Sequence, residues 1–404
     1  MTTWVTEFSP TRAELSACVQ CGLCLPHCPT FRLTGLETAS PRGRLAAMSA
    51  VAAGVVELDA DFEEAMSFCL NCRACEAVCP SLVPYGRAME GARAEVAAQR
   101  PRLGRKIRHF ALGGLLPSRR LMALVTRVIW LIQRFRLQRL LPARLRSGFA
   151  GLRPIEPARP ATGLRLAGTL GRAGLLRGCI VDPWFGAVNR AAEVLLTRAG
   201  YEVVSPSNQT CCGALAAHDG AMPEAIRLAQ RNVDAFRDFD LVVATAAGCS
   251  AHMREYNHFG DHEKFAGCAR DVTEVVAGLI EAGHLPRLVR PLGEVAVQDP
   301  CHLRHAQRIM AAPRAILIAA GYTPVEIDPD GICCGAAGIY SLLRPEASAE
   351  LGRRKADQVR ASGARLVASA NPGCELQLRS QLGGTHRIAH PIELYLEALS
   401  DQGR

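Results

Sequence analysis

The sequence predicts a chain built in two styles: a helical, cysteine-rich N-terminal domain, then two copies of one α/β unit. Three observations predict it. Two identical four-cysteine runs lie before residue 80, and the 40 residues between them carry Ala/Leu-rich helical pattern, over 45–56 and 62–68. The second half repeats itself, with Cys179 mapping onto Cys301 and Cys211-Cys212-Gly213 onto Cys333-Cys334-Gly335, both at an offset of 122 residues. Within each copy, short apolar runs alternate with helical stretches, the order that makes a parallel sheet.

Composition bounds the reading. The 404 residues suit two or three domains, and 49% hydrophobic with 21% charged residues excludes wholesale disorder. An odd total of 17 cysteines argues against a pure disulfide framework. The start, Met1-Thr2-Thr3-Trp4-Val5, has neither a basic nor an apolar leader region, so the expected compartment is a reducing cytoplasm with cysteines as metal ligands. The most apolar stretch, 110–141, is interrupted by six arginines and is not a spanning helix.

The first piece, residues 1–95, holds Cys18-x2-Cys21-x2-Cys24-x3-Cys28-Pro29 and Cys69-x2-Cys72-x2-Cys75-x3-Cys79-Pro80. Thiolates are soft ligands, and three from one tight loop wrap one face of a [4Fe–4S] cube while the fourth, before Pro, points to a second cube. The expected ligation is crossed: Cys18, Cys21, Cys24 and Cys79 for one cluster, Cys69, Cys72, Cys75 and Cys28 for the other. Two zinc knuckles are the competing reading; zinc sites favour paired Cys-x2-Cys units. Between the runs, Pro41-Arg42-Gly43-Arg44 reads either as guanidiniums placed near clusters or as a helix start with solvated arginines.

The second piece, 96–160, is a basic segment. From Arg100 to Arg153 there are fourteen Arg/Lys and no Asp or Glu, inside a chain whose net charge is +9. Arg120, Arg127 and Arg134 recur every seven residues among apolar neighbours, an amphipathic helix fit for a partner subunit or the cytoplasmic membrane face. A helix packed on its own domain, arginines in solvent, is the alternative. Nothing accompanies the charge to indicate nucleic acid. Pro154, Pro157 and Pro160 read as a linker.

The third and fourth pieces, 161–290 and 291–404, are the repeats. In the first, an apolar run ends at Cys179, 187–199 is helical, 201–204 is a strand, 223–236 is helical, and 241–245 is the last strand before Cys249. In such sheets ligands bind beyond the carboxyl ends of strands, where all the repeated cysteines fall. Candidate ligand sets are Cys179, Cys211, Cys212, Cys249 and Cys301, Cys333, Cys334, Cys374, with one centre per repeat. The glycine after each cysteine pair permits a sharp turn, and Gly178, Gly248 and Gly373 are candidates for the same role. A strained Cys-Cys disulfide and a zinc ion are the competing readings. Cys268 has no counterpart and reads as an idle thiol. His302 is read as a thiolate partner or a structural histidine, with His218 and His305 weaker cases of the same kind.

Two ferredoxin runs followed by tandem Cys-Cys-Gly repeats resemble the iron–sulfur subunits of bacterial glycolate oxidase (glycolate dehydrogenase). Gly22, Pro41-Arg42-Gly43-Arg44, Asp299-Pro300-Cys301-His302-Leu303-Arg304-His305-Ala306-Gln307, Cys333-Cys334-Gly335-Ala336-Ala337-Gly338, Asn371-Pro372-Gly373-Cys374 and His390-Pro391-Ile392-Glu393-Leu394 carry the likeness. The resemblance implies an all-helical ferredoxin domain with two [4Fe–4S] clusters, followed by two α/β Cys-Cys-Gly domains like those of the heterodisulfide reductase catalytic subunits, each with a further iron–sulfur cluster. It also implies FAD-containing partner subunits, a quinone-type acceptor, and a place in the cytoplasm or at the inner face of its membrane. The heterodisulfide reductase subunits end each repeat in Cys-x2-Cys; here Ala246 and Asn371 replace the first cysteine of that pair. The iron–sulfur subunit of anaerobic glycerol-3-phosphate dehydrogenase shares the layout, and a catalytic disulfide or quinone reductase is a further alternative; a redox sensor would need an effector module, and none is visible. No nucleotide-binding fingerprint, Walker A motif or nucleophile elbow is present, so substrate oxidation is expected on a partner and not on the isolated chain.

Overall fold

The computed structural model describes residues 4–140, 149, 151–155 and 169–401. Before residue 140 the described elements are helical. Pro41–Ala52 starts where Ser40 accepts a hydrogen bond from the Gly43 amide at 3.0 Å with Pro41 in the first turn. Ala60–Ser67 starts at Asp59, which accepts from the Phe62 amide at 2.9 Å. With Tyr85–Gln99 these helices close a core of Leu45, Phe62 and the fully buried Met48, Met66 and Met89. Cutting any one of those methionines to Ala would cost about 2–5 kcal/mol. Cys69 and Cys75 pack into the same core, so its integrity sets their positions.

The basic segment folds as Leu103–Phe110, a π-turn at Ala111–Leu115, and the helix Arg119–Arg134. Met122 and Ile129 are its buried residues, and Trp184 of the first repeat donates to the Thr126 hydroxyl at 3.1 Å. Arg120, Arg127 and Arg134 are exposed, and so are Leu121, Leu124 and Val128. The helix therefore packs on its own chain yet keeps an apolar row outside. Among the described residues no helix is long and apolar enough to cross a membrane. Pro157 and Pro160 of the expected linker, and Arg144 and Arg146, lie outside the described residues.

Each repeat is a four-stranded parallel sheet. The first runs β2-β1-β3-β4, with β1 Arg172–Leu176, β2 Glu202–Val204, β3 Leu241–Ala244 and β4 Ala269–Asp271. The second runs β6-β5-β7-β8, with β5 Gly293–Gln298, β6 Tyr322–Glu326, β7 Leu366–Ser369 and β8 Arg387–Ala389. The expectation that 241–245 is the last strand of its copy is corrected: β4 and β8 follow. Each has three residues including an arginine, too short for the alternation that marks a strand.

The duplication is visible in the loops. Cys179 and Cys301 follow their strands by three residues, Cys211 and Cys333 by seven, Cys249 and Cys374 by five. The repeats also share a core: Leu195, Leu196 and Ile280 of the first pack with Ile316, Ile392 and Tyr395 of the second, all buried. That shared core turns the carboxyl ends of both sheets toward each other.

Candidate metal centres

The first cysteine run forms a tight loop with Gln20 and Gly22 in left-handed conformation, and the second does the same at Asn71 and Arg73. These turns bring the thiols together across the sequence. Cys18, Cys21, Cys24 and Cys79 line one small cavity, which Cys75 also reaches. Cys28, Cys69, Cys72 and Cys75 line a second, buried one. Burial pushes the thiols of Cys72 and Cys75 well up, and Cys24 up to about 11; a bound metal reverses this by stabilising thiolate.

Arg42 and Arg44 divide the two readings of their motif between them. Arg42 is exposed, pairs with Glu37 at 2.7 Å, and donates to the Gln20 carbonyl in the first cysteine loop at 3.3 Å. Arg44 is 1% exposed, donates to the Ala65 carbonyl at 2.8 Å and the Thr30 hydroxyl at 3.1 Å, and walls the second cavity. Its Nη1 is buried with no hydrogen-bond partner among the described residues. A buried guanidinium needs counter-charge, and an anionic iron–sulfur group among Cys28, Cys69, Cys72 and Cys75 would supply it. The donor set fits as well, since soft thiols line both cavities and no carboxylate intrudes.

The repeats contribute a third cavity, of about 700 Å³, between the two sheets. All eight repeat cysteines line it: Cys179, Cys211, Cys212 and Cys249 from one copy, Cys301, Cys333, Cys334 and Cys374 from the other. Gly213 and Gly335 turn the adjacent cysteines inward at φ +90° and +87°, and Gly178 is left-handed too. Gly248 and Gly373 instead sit in helix starts. Every cysteine is unpaired, so the adjacent ones form no disulfide. The first-repeat thiols stand as two pairs, Cys179–Cys211 and Cys212–Cys249, each 3.2 Å apart. Among the described residues, no three His, Cys, Asp or Glu side chains converge at single-ion distance; the thiols line a space rather than a point.

His302 is half-buried with Nδ1 3.5 Å from Cys301 Sγ, and its ring lies 5.2 Å from that of His218. His218 Nδ1 meets Glu90 of the N-terminal domain at 2.6 Å. Burial pushes Glu90 up and His218 down to about 3, both against an ion pair, so this contact is a hydrogen bond rather than a full charge pair. His305 is structural, bonded to the Gly331 carbonyl at 2.8 Å. Cys268 stays apart from the cavities and donates to the Phe265 carbonyl at 3.2 Å. Sequence reasoning missed Glu90, the buried His252 whose ring lies 6.2 Å from that of His218, and the arginines that lock the domains. Arg73 binds Glu76 at 2.5 Å and also Glu255 of the first repeat, and Arg93 bridges the Met66 and His218 carbonyls. These partners lie up to 182 residues apart and carry no spacing pattern; only His252, three residues after Cys249, offered a local cue.

A family model for 4Fe–4S dicluster domains matches residues 14–83, and one for cysteine-rich domains matches twice, at 173–254 and 295–379. Over 95% of the chain and 94% of the relative, the sequence is 37% identical to the "Probable glycolate oxidase iron-sulfur subunit" of Bacillus subtilis (strain 168). It is 30% identical to the glycolate oxidase iron–sulfur subunit of Escherichia coli (strain K12), over 96% of the chain and 95% of the relative. The chain belongs to the glycolate oxidase iron–sulfur subunit family. The helical N-terminal domain of this family member is thus a ferredoxin-like 4Fe–4S dicluster domain, and its sheets are two cysteine-rich domains. The framework extends more widely: one component of the fumarate reductase (CoM/CoB) of Methanothermobacter marburgensis is 27% identical over 96% of the chain and 73% of its own length. In this iron–sulfur protein the position that could have held one more thiol per repeat does other work. Asn371 accepts from the Gly248 amide at 3.3 Å and donates to Cys374 Sγ at 3.5 Å, tying one repeat's loop to the other, and Ala246 is buried.

Proposed function

We propose that this chain is the electron-relay subunit of a flavin-dependent glycolate dehydrogenase, joining FAD-containing partner subunits to a quinone-type acceptor. Its proposed place is the cytoplasm or the inner face of the cytoplasmic membrane. One observation carries the relay: the three thiol-lined cavities are contiguous, Cys75 belonging to the first and second and Cys69 to the second and third. Cys18, Cys21, Cys24 and Cys79 would hold one [4Fe–4S] cluster and Cys69, Cys72, Cys75 and Cys28 the other. Cys179, Cys211, Cys212 and Cys249, and Cys301, Cys333, Cys334 and Cys374, would each hold a further iron–sulfur centre. When bound, these groups supply one-electron storage, which lets a two-electron flavin discharge singly.

The chain's own residues do the rest. The helical core keeps water from Cys69, Cys72 and Cys75, and the Arg44 cation favours negative charge beside them. The Arg73–Glu255 and Arg93–His218 contacts hold the dicluster domain against the first repeat, so the spacing between sites is fixed. The basic helix is the docking face for a partner or the membrane. With Ala246 and Asn371 where a heterodisulfide-type site has cysteines, the disulfide-reductase reading lacks its thiols.

The test is glycolate-dependent reduction of a quinone analogue by the reconstituted complex, with and without this chain. Acceptor reduction should need the chain and should fall with Cys301→Ser or Cys334→Ser, while flavin bleaching by glycolate persists. Turnover of glycolate by the purified chain alone, or equal quinone reduction without it, would overturn the reading.

A further inference from the structure

We propose that a fourth cavity, of about 680 Å³ between the helix Arg119–Arg134 and the first repeat, binds a quinone head group. The inference rests on the quinone-type acceptor of the proposed function and gives it a place.

The walls suit a planar ring with an apolar body. Trp130, Trp184, Phe185, Met122 and Ile155 line the cavity, and its volume lies within the usual range for sites of small organic molecules. A quinone also presents carbonyl oxygens and needs donors for them. Thr210 lines the cavity and is 6% exposed, and its hydroxyl is buried with no hydrogen-bond partner among the described residues. Its position is fixed, because its amide donates to Asn232 Oδ1 at 2.9 Å. A buried hydroxyl without a partner is unfavourable, and a ligand carbonyl would satisfy it. At the rim, Arg127 makes no ion pair among the described residues and adds a cation where reduction builds negative charge.

Position supports the same assignment. The cavity shares Cys179 and Cys211 with the central thiol-lined cavity, so a ring bound here touches residues of the first-repeat centre. Its outer wall is the helix that shows Leu121, Leu124 and Val128 to the outside among arginines, a face fit for the lipid from which a quinone would come. The chemistry balances: a quinone takes two electrons and two protons to become a quinol. Oxidation of the 2-hydroxy acid to the 2-oxo acid supplies the electrons, and water at the mouth supplies the protons.

The experiment uses tryptophan emission. The chain has three tryptophans, so Trp4→Phe leaves only Trp130 and Trp184, both in the cavity wall. The cluster-loaded full chain is titrated anaerobically with decylubiquinone, and with glycolate as a small-anion control. The expected result is saturable quenching by the quinone and none by glycolate. Ala187→Phe, which fills the cavity, should abolish it. Thr210→Val, which removes one hydrogen bond, should weaken binding about two- to tenfold. Circular dichroism and iron content report folding of each variant. Absent quenching in a chain whose complex still reduces quinone, or binding unchanged in both variants, overturns this site while leaving the acceptor reading intact. Failure of the complex to reduce any quinone overturns the acceptor reading itself.

Discussion

Replacing Arg153 should detach the basic segment from the second repeat at a large cost in stability. Its guanidinium donates to both oxygens of Glu375, at 2.5 and 2.6 Å, and to both of Glu393, at 2.7 and 2.8 Å. The three side chains are 15%, 3% and 9% exposed, so water screens them little. Arg153→Leu leaves Glu393 buried without counter-charge and Glu375 with only Arg379, at 2.6 Å, and breaking a buried pair this way costs about 3–5 kcal/mol. At about 2 °C per kcal/mol for a chain of this size, the melting midpoint should fall by roughly 6–10 °C. The effect must also depend on pH. Burial alone would raise the Glu393 carboxyl, but the hydrogen bonds and charge of Arg153 outweigh it and hold it below the usual carboxylate range. A depressed native pKa gives stability that is present above the ordinary value and lost as pH falls through the native one. In Arg153→Leu that carboxyl can protonate instead, so the deficit should be largest at pH 7 and shrink below about pH 5. Anaerobic thermal unfolding of the holoprotein, followed by circular dichroism across pH, measures both. The combination with Glu375→Gln and Glu393→Gln should recover much of the loss. A deficit under about 1 kcal/mol at pH 7, or one that does not shrink on acidification, would refute the reasoning.

Three further outcomes are expected. Cys79→Ser should perturb the paramagnetic signal of the centre at Cys18, Cys21 and Cys24; perturbation confined to the centre at Cys69, Cys72 and Cys75 would contradict crossed ligation. Arg44→Met should lower the midpoint potential of the buried centre by tens of millivolts and Arg44→Lys by less, because a buried cation in the wall of that cavity favours the more negative, reduced state; potentiometric titration showing no difference between the two variants would count against a charge effect. The triple variant Arg120→Gln, Arg127→Gln, Arg134→Gln should lose sedimentation with anionic lipid vesicles, and added salt should mimic it in the parent; unchanged sedimentation would leave those arginines as solvated surface.

Much of the fold was legible because the thiols mark it twice. Matching offsets between Cys179 and Cys301, and between the two Cys-Cys-Gly turns, expose the duplication before any strand is assigned. The strands β4 and β8 were not legible, because three residues with one arginine each carry no periodicity. The cavity linings at Cys18 to Cys79 follow from local spacing, since each loop brings three thiols within seven residues. What surrounds them does not. Glu90 reaches His218 across 128 residues, and Arg73 reaches Glu255 across 182, so neither pairing leaves a trace in local pattern. Arg44 was ambiguous for a related reason: its motif is also a good helix start, and only the packing of Ala65 and Thr30 around it tells a buried cation from a solvated one.

The core shared by the two repeats has a consequence for synthesis. The helix Gly186–Ala199 buries Leu195 and Leu196 partly against the helix Pro391–Asp401, which is translated about 200 residues later. At about 5–20 residues per second, the first of these helices waits roughly 10–40 s before the second emerges. Once β4 has emerged, the nascent first repeat has its strands in hand but an oily flank uncovered, and it is then that a chaperone would find something to hold.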